Sequence, residues 1–391
     1  MTVSGGGGHI PFNRARAVGT EHAYIAEAIA GGQLSAGGPF TERCCRWLES
    51  EVGSAKALLV HSATAALEMA ALLLEIEPGD EIVMPSFAFV SSANAFVLRG
   101  AVPVFVDIRP DTLNLDEALV EEAITSRTRA VVAVHYAGVP CEMDAICAVA
   151  ERHGLAVVED AAQALGSTYR GRPAGSLGEL AAVSFHETKN VTSAEGGALL
   201  VKGARFSERA EVVRDKGTDR SRFSRGEVDK YSWVDLGSSY GLSELNAAFL
   251  WAQLEAAEAL TADRLRTWWL YHEALEPLED EGLLRRPVVP ESVRHNAHIY
   301  YALVDDLEQR RHVLTELNRG GVNAVFHYVP LHSSPGGRRY GRVQGRLPNT
   351  DAAAERLLRL PLWSGMTEGQ ALRVVESVGA AVHGRIRAAS I

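Results

Sequence analysis

Cysteine is scarce in this chain: four in 391 residues, two adjacent at Cys44-Cys45 and two at Cys141 and Cys147. They show neither zinc-ligand nor redox spacing, so they read as buried thiols in a reducing cytoplasm. Positive charge is short as well. The formal net charge is -10, which argues against a general nucleic-acid or membrane-surface binder and leaves room only for a local basic site. No apolar run is long enough to span a bilayer. Met1 to His9 includes four consecutive glycines, Gly5 to Gly8, and lacks the basic start and apolar core of a secretory signal. Internal repeats are absent. What remains is 47% hydrophobic and 23% charged, ordinary for a globular protein and long enough for two domains.

Short apolar runs alternate with helical periods. Leu58-Leu59-Val60, Glu81 to Met84, Val102 to Val106, Ala130 to Val134 and Leu155 to Val158 read as buried strands. Thr64 to Glu75, Ser91 to Leu98, Leu115 to Ile124 and Met143 to His153 read as the helices between them. Repeated β-α-β units predict a mostly parallel sheet with helices on both faces. Ala181 to Phe185 and Gly197 to Val201 follow with no long helix between them. At least one of these should run antiparallel, giving a mixed sheet of about seven strands. Leu242 to Leu260 and Ala262 to Leu275 read as long helices, then short strands (Ile299 to Val304, Asn323 to Phe326) and helices (Arg310 to Arg319, Ala352 to Leu358) follow. The expected division is a flexible N-terminus at residues 1–12, a large α/β domain at 13–260 and a smaller α+β domain at 261–391.

Four features carry chemistry, and each has a plain structural explanation if taken alone. His61-Ser62-Ala63-Thr64 joins a strand to a helix, where free backbone N–H groups and two hydroxyls suit a phosphate, or merely cap the helix. Pro85-Ser86-Phe87-Ala88-Phe89 ends the next strand, where an aromatic ring could stack on a flat cofactor or pack in the core. Asp160 and Gln163 end another strand. A buried carboxylate there needs a cationic partner, which a protonated pyridine would supply; an N-cap is the simpler role. Lys189, in Ser184-Phe185-His186-Glu187-Thr188-Lys189-Asn190, lies one strand further on. Lysine is usually a surface residue, but one at the ligand-binding edge of an α/β sheet can form a Schiff base with an aldehyde. Together the four match the parts of pyridoxal 5'-phosphate (PLP).

The runs Glu159-Asp160-Ala161-Ala162-Gln163-Ala164-Leu165-Gly166 and Ser184 to Asn190 closely resemble the DegT/StrS-type sugar aminotransferases, fold-type-I PLP enzymes that act on nucleotide-linked keto sugars. The resemblance covers nearly the whole chain, from Pro39-Phe40 to Leu360-Pro361-Leu362. Arg214 to Ser221, Val228 to Trp233 and Phe326 to His332 look like the members that make dTDP-4-amino-4,6-dideoxygalactose. The resemblance implies a role for each residue. Lys189 would be the catalytic lysine. Asp160 would pair with the pyridine nitrogen, Gln163 would contact the ring oxygen and Phe89 would stack on the ring. Ser62, Ala63, Thr64 and Ser184 would hold the phosphate. Many members add an Asn from the partner subunit of a homodimer; Ser239 stands at that position and is shorter, which alters the contact. Lys216, Arg220 and Lys230 would meet the substrate diphosphate, and His327, Tyr328 and His332 the sugar.

The implied reaction moves the amino group of L-glutamate to C4 of a dTDP-linked 4-keto-6-deoxy sugar. The product would be the galacto amine, with the gluco epimer of antibiotic-pathway relatives as the alternative. Relatives that dehydrate carry histidine where Lys189 stands. A non-catalytic protein on the same fold would be expected to lack one of Lys189, Asp160 and Gln163, and all three are present.

Overall fold

The structure, a computed structural model, describes residues 8–389. Its central sheet contains β1 (Lys56–Val60), β2 (Glu81–Pro85), β3 (Val102–Val106), β4 (Thr128–Val134), β5 (Ala156–Asp160), β6 (Leu180–Ser184) and β7 (Gly197–Val201). The order is β1-β7-β6-β5-β4-β2-β3, with the two-residue strand Arg342–Val343 added beside β3. From β6 through β3 every pairing is parallel, whereas β7 runs antiparallel to both β6 and β1. The mixed, mostly parallel sheet expected from the sequence is therefore present, with β7 as its reversed member.

Parallel strands buried on both faces must be apolar throughout, and β4 shows it. Ala130, Val132 and Val134 enter one core with Leu67, Met69 and Phe96, while Val131 and Ala133 enter another with Met143 and Ile146. Burying each valine-sized side chain contributes about 1.5–3 kcal/mol. The helices around the sheet include α1 (Glu21–Gly31), α2 (Pro39–Val52), α3 (Ala63–Leu73), α4 (Val90–Val97) and α5 (Met143–His153).

A further core gathers around Trp268, Tyr271 and Tyr300 with the helices Leu307–Arg319 and Glu368–Ala389. It sits on a small antiparallel sheet in which Leu357–Leu360 lies between Tyr300–Leu303 and Val325–Phe326. Ile10, from the segment read as a flexible lead-in, belongs to this core: its N–H donates to the Gly321 carbonyl at 2.8 Å. Residues 1–7 of that segment lie outside the described residues.

Three local expectations are corrected. Leu115 to Ile124 forms two 3-10 turns, Glu117–Leu119 and Glu121–Ala123. Its buried positions Val120 and Ala123 lie three apart, the spacing such turns stack. The long helix expected to run from Leu242 to Leu260 instead starts at Glu244, behind a Ser243 cap, and breaks at Ala256, where a new helix, Ala257–Ala274, begins. Ala352 to Leu358 is not one helix. A helix ends at Arg356 and a strand takes over at Leu357, because Leu358 and Leu360 alternate into the core.

Candidate active site

Sheet register gathers the chemical residues at one edge. Val60, at the end of β1, and Ser184, at the end of β6, both pair with Gly197, the first residue of β7. Asp160, at the end of β5, pairs with Val134 and Ala182. The chain leaves β1 straight into α3, whose N-cap is Ser62. Its Oγ accepts from the Ala65 N–H at 3.1 Å, leaving the first amides of the helix, Ala63 and Thr64, for a ligand. Thr64 Oγ1 lies 2.8 Å from Ser91 Oγ.

A cavity of about 320 Å³ opens here, lined by Ser62, Ala63, Thr64, Phe89, Asp160, Gln163, Ser184, Lys189 and Tyr328, together with His186, Glu195, His298, His327 and Arg359. That volume falls in the range of small-molecule sites. Phe89 is 57% exposed although it is a large apolar side chain, so one ring remains for a flat ligand. The neighbouring Phe87, 1% exposed, packs instead on Tyr136 and Tyr328.

Gly197 controls how closely the strand and helix meet. A Cβ on it would lie 2.4 Å from the Ser62 carbonyl carbon and 2.5 Å from the Ala63 nitrogen, both backbone atoms. Gly197→Ala is therefore expected to push the start of α3 away from β7. The expected destabilisation is about 1–3 kcal/mol, read as a lowered denaturation midpoint together with weaker cofactor retention on dialysis. A variant with wild-type stability and retention would show that the helix start is not held by this contact.

Asp160 is 7% exposed. Its Oδ2 accepts from Ser92 Oγ at 2.5 Å and its Oδ1 from the Ala162 N–H at 3.2 Å. Behind it, Glu159 is fully buried on the other side of β5. Glu159 accepts from His135 Nε2 at 2.8 Å and from the amides of Gly175, Leu177 and Gly178, each at 2.7 Å. His135 Nδ1 accepts from the Cys141 N–H, so the ring is the neutral Nε2–H form. The His135 backbone N–H in turn donates to the Asp160 carbonyl at 3.1 Å, which fastens the strand end that bears Asp160.

Gln163 Oε1 accepts from the Ala137 N–H at 2.8 Å, where Ala137 sits at φ 58 in the left-handed region. Its Nε2 donates to the Tyr328 hydroxyl at 3.0 Å, leaving one amide proton free. The Lys189 ammonium is pushed down to about 8, first by burial and then by the Arg359 charge, against an opposing pull from Asp160. A lysine at the cavity wall that is half free amine near pH 8 can act as nucleophile or base.

The His327 ring stacks on that of Tyr328 at 3.6 Å between centroids. His327 Nε2 accepts from Arg359 Nη1 at 2.8 Å, so its Nδ1 carries the proton facing the Tyr136 hydroxyl at 3.3 Å. Burial, then Arg359 and Lys189, drive its acidity to about 2, so it stays neutral.

Other residues expected at the site lie elsewhere. His332 is held by Ser86 Oγ at 2.7 Å and Asp351 at 3.3 Å, away from the cavity lining. Lys216, Arg220 and Ser239 line a separate polar cleft with Lys56, Arg214 and Arg225, and Lys230 is exposed on the neighbouring loop. Ser239 therefore does not reach the cavity of its own chain. Sequence reasoning missed Ser92, His186, His298 and Arg359. Leu358-Arg359-Leu360 did carry a signal, since its alternation turns a charge away from the core in the middle of an apolar strand.

The DegT/DnrJ/EryC1/StrS aminotransferase family matches residues 16–379. The uncharacterized protein MJ1066 of Methanocaldococcus jannaschii is 34% identical over 348 residues, covering 87% of this chain and 89% of that one. Spr1654 of Streptococcus pneumoniae, a proposed sugar aminotransferase solved in PMP and PLP forms, is also similar. Its PMP form superposes with a TM-score of 0.90 at 26% identity, over 98% of this chain and 100% of that one. DesV of S. venezuelae, solved with a ketimine intermediate, gives a TM-score of 0.86 at 32% identity, over 96% and 99%. The buried carboxylate, the helix start and the depressed lysine in one cavity fit the cofactor of those structures, and the chain belongs to the DegT/DnrJ/EryC1/StrS family of PLP-dependent sugar aminotransferases.

Proposed function

We propose that the protein moves the amino group of L-glutamate to C4 of dTDP-4-keto-6-deoxyglucose, giving dTDP-4-amino-4,6-dideoxygalactose. The observation that carries this is the meeting of Lys189, Asp160, Gln163 and the α3 N-terminus in one cavity. Ser62, Ala63, Thr64 and Ser184 would hold the phosphate. Asp160 would hold the protonated ring nitrogen, Gln163 would spend its free amide proton on the ring oxygen, and Phe89 would cover a ring face. Bound there, PLP supplies an electrophilic aldehyde and an electron sink. Lys189, as a free amine, takes the proton from the amine-bearing carbon of the donor and returns one to C4 of the sugar.

Ser239 of the partner subunit would join the phosphate in a homodimer, which accounts for its absence from the cavity of its own chain. The 214–230 segment, with Lys216, Arg220 and Lys230, would meet the nucleotide diphosphate as a set of cations outside the cavity. His327 and Tyr328 would line the sugar.

The test is a proton NMR spectrum of the product formed by the purified protein with PLP, glutamate and dTDP-4-keto-6-deoxyglucose. A small H3–H4 coupling in an amino sugar gives the galacto amine. A large coupling gives the gluco amine and overturns the proposed product. No amino sugar from a protein that binds PLP overturns the sugar.

A further inference from the structure

Two asparagines tie His298 to the functional loops. Asn296 Nδ2 donates to the carbonyls of Gln163 and Leu165, each at 2.9 Å, and its Oδ1 accepts from the His298 N–H at 3.0 Å. Asn190, the residue after Lys189, donates from Nδ2 to the Asn296 carbonyl at 2.7 Å. Buried Arg264 donates to the carbonyls of Ala297 and His298 at 3.1 and 2.7 Å. The backbone bearing His298 is thus fixed against both the Gln163 turn and the Lys189 loop. These bonds also fix the ring. A carbonyl can only accept, so Asn190 turns its NH2 to Asn296 and its Oδ1 to His298 Nδ1, 3.0 Å away. Nδ1 therefore carries the ring proton and Nε2 a bare lone pair. Burial, then the charges of Lys189, Arg264 and Arg359, hold the ring well below the ordinary histidine range, so it stays neutral. Among the described residues nothing donates to Nε2, Lys189 included, and this atom opens on the cavity that His298 lines.

We propose that His298 Nε2 accepts a hydrogen bond from the hydroxyl on the sugar carbon next to the ketone, which makes the site select keto sugars that keep this hydroxyl. The proposal rests on the aminotransferase reading above and names a group that recognises the keto substrate. A lone pair that stays unprotonated recognises only a hydrogen-bond donor. Glutamate brings carboxylates, which only accept, and an amine that the reaction consumes. The sugar brings hydroxyls. C4 has to come within reach of Lys189, and the C3 hydroxyl stands on the adjoining carbon, so it is carried close to the neighbours of Lys189. A site that pairs with a substrate hydroxyl also rejects the analogue without it, since the sheltered acceptor is then left unmatched.

The test compares wild-type holoenzyme with His298→Asn and His298→Gln. The Asn amide stands where Nδ1 stands, so it keeps the bond to Asn190 and deletes the lone pair at Nε2. The Gln amide reaches the Nε2 position, so it keeps an acceptor there and gives up the bond to Asn190. Single-turnover absorbance follows the glutamate half-reaction and, from the pyridoxamine form, the half-reactions of dTDP-4-keto-6-deoxyglucose and of its 3-deoxy analogue. Calorimetry measures binding of both sugars to the PLP form, which has no amino group to give them. Wild type should bind and aminate the 3-deoxy sugar about tenfold less well, the loss expected when one hydrogen bond goes and its partner is stranded. In His298→Asn the 3-hydroxy sugar half-reaction should fall about tenfold relative to the glutamate half-reaction, and the difference between the two sugars should vanish. In His298→Gln the same ratio should stay within about threefold of wild type.

A His298→Asn variant that matches wild type on the 3-hydroxy sugar while His298→Gln fails overturns the proposal and leaves the ring only its bond to Asn190. An equal fall in both half-reactions of the Asn variant also overturns it, and places the effect on Lys189. So does a deficit as large on the 3-deoxy sugar as on the 3-hydroxy one. If either variant loses its cofactor spectrum, wild type decides alone: a preference for the 3-hydroxy sugar in binding and in rate supports the proposal, and equal treatment of the two sugars refutes it. A wild type that reacts with glutamate but with neither sugar sinks the proposed sugar. The same Asn and Gln comparison, on the keto sugar that it does aminate, then judges His298.

Discussion

Replacing Lys189 with alanine is expected to lower turnover by about 10⁴-fold or more, the upper range for removing a positioned acid-base group. Fold and cofactor phosphate binding should be retained. The amine sits where strand ends converge, beside Asp160 and under the influence of Arg359. Burial is the main force that brings it down to about 8, and this makes it a usable base near neutral pH. An ordinary lysine, with a pKa near 10.4, would be almost wholly protonated there. The sign is fixed by that cause: the free amine is the active form, so the rate of the glutamate half-reaction should rise with pH through about 8 and then level off. Arginine at the same position keeps charge and length but cannot give up its proton, so Lys189→Arg should be as inactive as Lys189→Ala. The measurement is single-turnover absorbance across pH, with circular dichroism to confirm folding. An alanine variant within tenfold of wild type would remove Lys189 from the chemistry.

The residues that are legible in the sequence are those fixed by strand ends. Asp160, Gln163, Ser184 and Lys189 each follow a continuous apolar run, and a run of that kind in a parallel sheet announces both its own end and the ligand edge. Ser62 and Thr64 are legible for the same reason at a strand-helix junction. The reversed β7 could be expected because the segment between β6 and β7 holds no helix to make a right-handed crossover. What stayed hidden depends on contacts between distant segments. Ser92 is one serine on an ordinary helix until folding brings it 2.5 Å from Asp160. Neither Arg359 nor His298 follows a strand of the large sheet; Arg359 lies within a small-sheet strand and His298 just before one, and both enter the cavity through tertiary packing. His332 misled for the converse reason. Its chemistry suits a sugar contact, but the turn after Pro330 spends both ring nitrogens on Ser86 and Asp351.

Asp160→Asn should separate function from stability. The carboxylate is 7% exposed, and it accepts hydrogen bonds from two neutral groups, Ser92 Oγ and the Ala162 N–H. Its charge acts on Lys189, whose free amine is the form the proposed chemistry would need. A carboxylate held this way is a burden on the fold unless a cation joins it, since removing charge from water is compensated only by close pairing. A protonated pyridine nitrogen is such a cation, and it is the protonated ring that draws electrons from the reacting carbon. Asparagine keeps the shape and can still pair with Ser92, but it removes the charge that would keep the ring protonated. Turnover is therefore expected to fall by about 10²- to 10⁴-fold, while the cofactor-free protein is as stable as wild type or more so in thermal unfolding. The added stability conferred by bound PLP should shrink in the same variant, because ligand stabilisation scales with affinity for the folded state. Equal loss of stability with and without PLP would instead make Asp160 part of the scaffold, and near-normal turnover would mean that the ring works without it.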